Sequence, residues 1–388
     1  MPRRMTSRER LLTAIRHEEP DLVPVSPRIH IWLKDNRGCA CWLHHLRAAQ
    51  EFDHDPFIYV SSPYPNYVSE LRASYEELQD VQVELNIERV DISTRIRRTI
   101  HTPAGKLTDR LVGHKPHVGY GSDPNPHWEE RLVKEPKDLE ALAFLLPEPA
   151  PSGYQDIVAI QEAVGQRGLV HLYINSALDH QAGWAFELVD LMVACLDNRQ
   201  FVQDLLRLFQ GRTLAETRAA LEAGIEVIFV PWYFASLSAG WSPHLFETLF
   251  LPLIKEHVAL VHAMGGLYHY YDDGAVTRIL PWLAEAGVDI VSTVPPPPIG
   301  DVDLAQAKVQ FGERICFNGN VDLIHVIKDG TRERIHQTVR QLILDAAHGG
   351  GFVLGTSDSI RDANLGNVRA YFEAARMYGD YSHLGEKS

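Results

Sequence analysis

Gly265-Gly-Leu-Tyr-His-Tyr-Tyr-Asp-Asp-Gly274 is a short aromatic run set between two long amphipathic segments. It closes on an Asp-Asp-Gly turn signal, so it reads as a buried strand that ends at a turn. Side chains alternate along a strand, which puts His269, Tyr271 and Asp273 on one face and Tyr268, Tyr270 and Asp272 on the other. The flanks repeat the strand–helix theme. Upstream come a strand at 170–174, helices around 184–196 and 198–224, a strand at 226–230 and a helix at 243–264. Downstream come a helix at 275–286, strands at 289–293, 315–317 and 352–358, and helices at 304–311 and 367–378. Alternation at this spacing predicts parallel βαβ units with right-handed crossovers.

Working outward to the amino-terminal part, Thr6-Ser7 opens a helix, and Asp21–Val25 and Phe57–Val60 read as two more strands. About eight strands fit the length, so the expected fold is α/β, a single (β/α)8 TIM barrel spanning residues 1–388. Residues 81–117 differ in texture. They alternate with period two around a Thr102-Pro-Ala-Gly turn, which predicts an antiparallel hairpin insertion near the barrel mouth. Its Arg95, Arg97 and Arg98 read as a solvated strand face.

Composition narrows the function. With 51 acidic against 37 basic residues the formal charge is −14, which argues against nucleic-acid and anionic-membrane surfaces. No Gly-rich dinucleotide or nucleotide loop follows any strand. The start has no apolar signal-peptide core and no run is long enough to span a bilayer, so the expected location is cytoplasmic. The four cysteines form no disulfide framework. Cys39-Ala-Cys41 has His44 and His45 nearby; such a group can bind a metal, although small buried thiols in a loop are the commoner outcome.

In a parallel barrel, inward side chains near the carboxyl ends of strands face the active-site mouth. His269, Tyr271 and Asp273 there make an acid/base or ligand set, although all three also suit core hydrogen bonding and helix capping. Arg28, past the first strand, is placed to meet an anionic substrate, with His30 two residues on. Asp179, His180, Asn318 and Asn320 follow other strands, and Trp232, Tyr233 and Trp241 can line an apolar pocket.

The stretches Met5-Thr-Ser-Arg-Glu-Arg-Leu-Leu-Thr-Ala-Ile-Arg-His-Glu-Glu-Pro, Thr102-Pro-Ala-Gly-Lys-Leu-Thr, Glu285-Ala-Gly-Val-Asp289, Gly319-Asn-Val-Asp322 and Gly355-Thr-Ser-Asp-Ser-Ile360 occur in order along the chain. As an ordered set the chain resembles the uroporphyrinogen decarboxylase superfamily, which includes zinc-dependent methyltransferases that serve corrinoid proteins. The hairpin resembles the methyltransferase-like branch. That branch's zinc ligands, His-x-Cys before a glycine and a Cys on the last strand, align with Tyr271, Asp273 and Asp358, so all three are replaced. Of the decarboxylases' arginine-rich signature only Arg28 remains.

The resemblance implies an enzyme with a small-molecule substrate. The leading expectation is a methyltransferase or O-demethylase moving a methyl group from a small aromatic substrate to a corrinoid protein. In it Tyr271 acts as the acid, or a divalent metal, zinc or a harder ion, is held by His269, Asp273 and Asp358. The alternatives are a carboxy-lyase in which Arg28 holds a carboxylate and Asp273 or Asp358 handles the proton, and a non-catalytic binding protein. The superfamily also implies a homodimer.

Overall fold

The computed structural model describes residues 4–68, 75, 78–115, 118 and 126–384. Its strands, in chain order, are β1 (Phe57–Ser61), β2 (Gln82–Val90), β3 (Ser93–Thr102), β4 (Gly105–His114), β5 (His127–Glu130) and β6 (Leu169–Tyr173). They continue with β7 (Val227–Pro231), β8 (Leu267–Asp272), β9 (Ile290–Thr293), β10 (Cys316–Val321) and β11 (Phe352–Thr356). The chain divides into two compact units: residues 1–62, 151–174 and 217–388, and residues 63–150 with 175–216.

The larger unit is built on a seven-stranded parallel sheet in the order β1-β6-β7-β8-β9-β10-β11. The expected eighth strand, Asp21–Val25, is not a strand ladder but carries two isolated bridges, antiparallel from Leu22 to Asp380 and parallel from Val25 to Leu354. The reason lies in how its backbone groups are paired. Pro24 has no N–H to donate. Val25 N–H donates to the side chain of Asp55 at 3.2 Å, and Asp55 N–H returns a bond to Val25 O at 2.9 Å. Ser26 N–H and Leu354 N–H complete the link to β11, bonding Leu354 O and Pro24 O. A carboxylate bracket thus stands between β1 and β11 where a continuous ladder was expected. Arg10 anchors that bracket through Asp21 at 2.7 Å and a short contact to Asp55.

The inner face of the sheet is filled in layers, as the two-residue period requires. Phe57, Leu169, Val227, Ile290, Cys316 and Val353 form the lowest, with Leu267 packed against them. Leu11, Ala14 and Ile15 of α1 (Ser7–Ile15) belong to the same cluster. That helix starts where the sequence suggests, with Thr6 and Glu9 forming a reciprocal capping box. Two residues farther along each strand, the next layer changes character to Tyr59, His171, Phe229, His269, Ser292 and Asn318. Gly355 is required in it: a Cβ there would lie 2.6 Å from Asn318 Nδ2.

The smaller unit carries the four-stranded antiparallel sheet β2-β3-β4-β5. The hairpin over 81–117 is therefore real as β2–β4, with its last two residues outside the described residues, and β5 is an addition the sequence did not suggest. Arg95 and Arg97 are exposed, but Arg98 is not part of a solvated face. It is buried, its Nε donating to Asp109 Oδ1 at 2.9 Å and its Nη1 to Tyr67 O and Tyr75 Oη. Burial of the whole fork against a carboxylate and carbonyls satisfies the charge.

Candidate active site

The structure gathers Arg28, Tyr59, Phe229, Tyr271, Asp273 and Asp358 around the carboxyl end of β8. Each arrives for a topological reason. Tyr59 and Phe229 are inward positions of β1 and β7; Phe229 pairs in register with His269, and Pro231 with Tyr271. Tyr271 is the last inward residue of β8, Asp273 follows the strand, and Asp358 lies two residues beyond β11. Arg28 follows the Val25 bridge.

The phenol joins the carboxylates. Tyr271 Oη donates to Asp358 Oδ1 at 3.1 Å and leans toward Asp273 Oδ2 at 3.4 Å. Asp358 also meets the half-exposed Arg361 at 3.4 Å. Asp273 is open to solvent on one side, yet crowding of its carboxyl, and then the charge of Asp358, raise its pKa above the ordinary carboxylate value. Burial holds the Tyr271 phenol well above its usual value, so it remains a donor.

Arg28 is the most unusual member. Its guanidinium carbon lies 4.1 Å from the centroid of the Tyr271 ring, 5.6 Å from Tyr59 and 5.7 Å from Phe229. Its Nε and Nη1 are buried and have no hydrogen-bond partner. It makes no ion pair among the described residues. Burial opposes its charge, but Tyr271 and Asp358 outweigh that effect and keep it a cation. Beside it Tyr59 Oη is also buried and unpartnered, its pKa pushed up to about 12 by burial.

Below this cluster runs a hydrogen-bonded chain whose proton positions can be deduced. Asn318 Nδ2 donates to Ser26 O and Val353 O, at 3.2 and 3.3 Å, which leaves its Oδ1 to accept from Ser292 Oγ at 2.9 Å. Ser292 Oγ therefore accepts from His269 Nε2, at 2.6 Å. Neutral His269 then offers Nδ1 as an acceptor, and His171 Nδ1 donates to it at 2.8 Å. Burial pushes His171 down to about 3 and His269 well below the normal imidazole range, so both rings are neutral.

These contacts sort the sequence-derived candidates. Arg28, Tyr271, Asp273 and Asp358 come together. His269 shares the inner face with Tyr271 as expected, but both its ring nitrogens are taken by His171 and Ser292, so it does not join Asp273 and Asp358 around one ion. His30 borders the cluster at the start of α2 (His30–Arg37), 3.4 Å from Ser359 Oγ and neutral, pushed down to about 3 by burial and then by Arg28. Trp232 is withdrawn: it is fully buried, donates to Tyr268 Oη at 3.0 Å on the opposite face of β8, and packs on Phe250. Trp241 packs on Phe250 as well. Asp179, in the smaller unit, accepts from Ser176 Oγ at 2.9 Å in the turn Leu178–Ala182. His180 lies in the same turn, its side chain outside the described residues. Asn318 and Asn320 are in β10, not after it. Tyr59, Phe229 and His171 were missed, although Tyr59 stands two residues from Phe57 in an apolar run, the inward period that could have found it.

The oxygen donors at Tyr271, Asp273 and Asp358 do not suit a thiolate-type zinc centre. Among the described residues, the His, Cys, Asp and Glu side chains close enough to share one ion are Cys39, Cys41 and His44, whose ligand atoms lie within 4.8 Å of one another.

The sequence profile of the family described as Uroporphyrinogen decarboxylase (URO-D) matches residues 185–378, and the chain belongs to that family. Relatives include a uroporphyrinogen decarboxylase of Trichodesmium erythraeum, 28% identical over 188 residues, covering 45% of this chain and 48% of the relative. Another, from Microcystis aeruginosa, is 28% identical over 171 residues, covering 42% and 43%. The chain thus spans about half the length of the curated relatives it matches. In three dimensions it is similar to a methyltransferase from Methanosarcina mazei, with a TM-score of 0.64 at 19% identity over 96% of this chain and 99% of the other. That likeness establishes the fold. Among the described residues no helix is long and apolar enough to cross a membrane.

Proposed function

We propose that the protein is an enzyme acting on a small carboxylated molecule, and that its reaction is proton-assisted loss of a carboxyl group. The observation that carries this is Arg28. A buried guanidinium with two unpartnered nitrogens, framed by three aromatic rings, is costly to leave alone and well suited to a ligand carboxylate. Arg28 anchors the substrate. Asp273, whose pKa burial and the charge of Asp358 raise, is the proton donor. As the carbon–carboxyl bond breaks and carbon dioxide leaves, the electron pair stays on carbon and takes the Asp273 proton. Tyr271, whose hydroxyl donates to Asp358 and lies 3.4 Å from Asp273, ties the two carboxyls into one cluster.

A second reading rests on the solvent-open side of Asp273. There the same proton would go to the leaving oxygen of an O-methylated substrate, with the methyl group passing to a cobalt(I) corrinoid on a partner protein.

A panel of small aliphatic and aromatic carboxylic acids, assayed for carbon dioxide release, separates the two. Release by the native protein, lowered at least about 100-fold in Asp273→Asn, is expected, because general acids contribute roughly 10²–10⁴-fold. No release, with methyl-cobalt absorbance on adding a cobalt(I) corrinoid and aryl methyl ethers, would establish the second reading. Neither signal would leave a binding protein.

A further inference from the structure

Helix α2 is capped at its end by Gly38, in the left-handed conformation with φ 76°, and α3 (Trp42–Phe52) begins four residues later with Cys41 in the N-cap position. That position normally holds a side chain whose oxygen accepts a bond from the first turn. Cys41 makes no such bond. Its thiol instead lies 3.0 Å from His44 Nδ1, one turn along the helix, and its backbone N–H donates to Cys39 Sγ at 3.2 Å. Cys39 and His44 are half-buried and Cys41 is exposed. None of the three contributes to the site around Arg28, and none is needed by the proton chemistry derived above.

We propose that Cys39, Cys41 and His44 form a separate binding site for one thiophilic divalent cation of the zinc class. The donor set is two thiols and an imidazole, which selects soft and borderline ions over magnesium or calcium. The spacing delivers them by local geometry. Residues three apart on a helix share a face, so Cys41 and His44 converge, and the tight turn after Gly38 brings Cys39 back beside them. The ion takes the place of the proton now lying between Cys41 Sγ and His44 Nδ1. Ligands on a tetrahedral ion at ~2.3 Å for sulfur and ~2.1 Å for nitrogen stand about 3.6 Å apart, so the pair opens by roughly half an ångström, within reach of a side-chain rotation. Both thiols lose their protons to solvent, the imidazole binds neutral, and two thiolates balance the charge of the ion. The fourth position faces solvent and takes water or a small thiol.

The test uses the full chain, reduced, stripped with chelator and titrated with cobalt(II) as a spectroscopic stand-in for zinc. The expected result is one equivalent per chain, a thiolate-to-cobalt charge-transfer band with the intense visible bands of tetrahedral cobalt, and discharge of both by zinc. Cys41→Ser and His44→Ala each weaken binding at least about tenfold, equivalent to about 1.4 kcal/mol. Cys39→Ser with Cys41→Ser together remove the charge-transfer band, while unchanged circular dichroism shows that the fold is retained. A weak, octahedral cobalt spectrum in the native protein, or a charge-transfer band that survives in the double variant with the buried Cys195 and Cys316 intact, would overturn the site.

Discussion

Arg28 lies with its guanidinium carbon 4.1 Å from the ring centroid of Tyr271, and the same phenol reaches Asp358 at 3.1 Å. One tyrosine therefore presents its π-face to a buried cation and its hydroxyl to a carboxylate. Cation–π contact offsets part of the cost of burying the charge, but far less than an ion pair would.

Replacement of Arg28 should abolish ligand binding while leaving the fold intact. Arg28→Met keeps the volume against Tyr59, Phe229 and Tyr271 and removes an unpartnered cation. We expect the unfolding free energy in urea to change by about 1 kcal/mol or less, because the burial cost removed is offset by the lost attraction to Asp358 and Asp273. A loss of roughly 3–5 kcal/mol would mean that Arg28 is a structural ion-pair partner and not a ligand anchor.

Asp273 gives a pH prediction. Its folded pKa lies above the unfolded value, so the native state binds the proton more tightly, and stability falls as pH rises from the ordinary carboxylate range through the folded value. Activity, which needs the protonated form, falls over the same upper limb. Asp273→Asn should remove the stability change in that window and lower turnover. A turnover profile that keeps its alkaline limb in the variant would assign the proton elsewhere.

The buried histidines act in the opposite sense. Burial pushes His54, His171 and His257 each down to about 3. Their folded values are depressed, so the unfolded chain takes up protons first, and stability is lost as pH falls below about 6.5 toward 3. Each contributes a slope of about 1.4 kcal/mol per pH unit in that window. Urea midpoints measured from pH 7 to 4 should fall steeply, and His257→Gln, which retains a partner for Thr217, should flatten the slope by about one histidine's share. A flat profile would show that these rings are not held neutral.

Much of this architecture was legible in the chain because it depends on periodicity. The order and approximate limits of the parallel strands, the hairpin and the shared face of His269 and Tyr271 all follow from alternation. Long-range pairing was not legible. Nothing near Asp21–Val25 shows that Asp55 will take the donor of Val25, so a bridge was read as a strand. Trp232 looked like a pocket residue because it ends a strand, but its indole needs an acceptor when buried, and Tyr268 supplies one on the far face. His171 and Tyr59 became visible only when register placed them level with His269. Arg28 was identified by its position after the first strand, whereas the lack of any hydrogen-bond partner for its Nε and Nη1 depends on the fold.

Binding of matched acids and amides tests the central claim most directly. In thermal-shift or calorimetric titrations, small carboxylic acids should bind the native protein, their primary amides should bind at least about 100-fold more weakly, and Arg28→Met should lose the distinction between them, as expected for loss of a charge-assisted contact worth roughly 3 kcal/mol. Equal binding of acids and amides, or an unchanged preference for acids in Arg28→Met, would contradict the assignment of Arg28 as the carboxylate anchor.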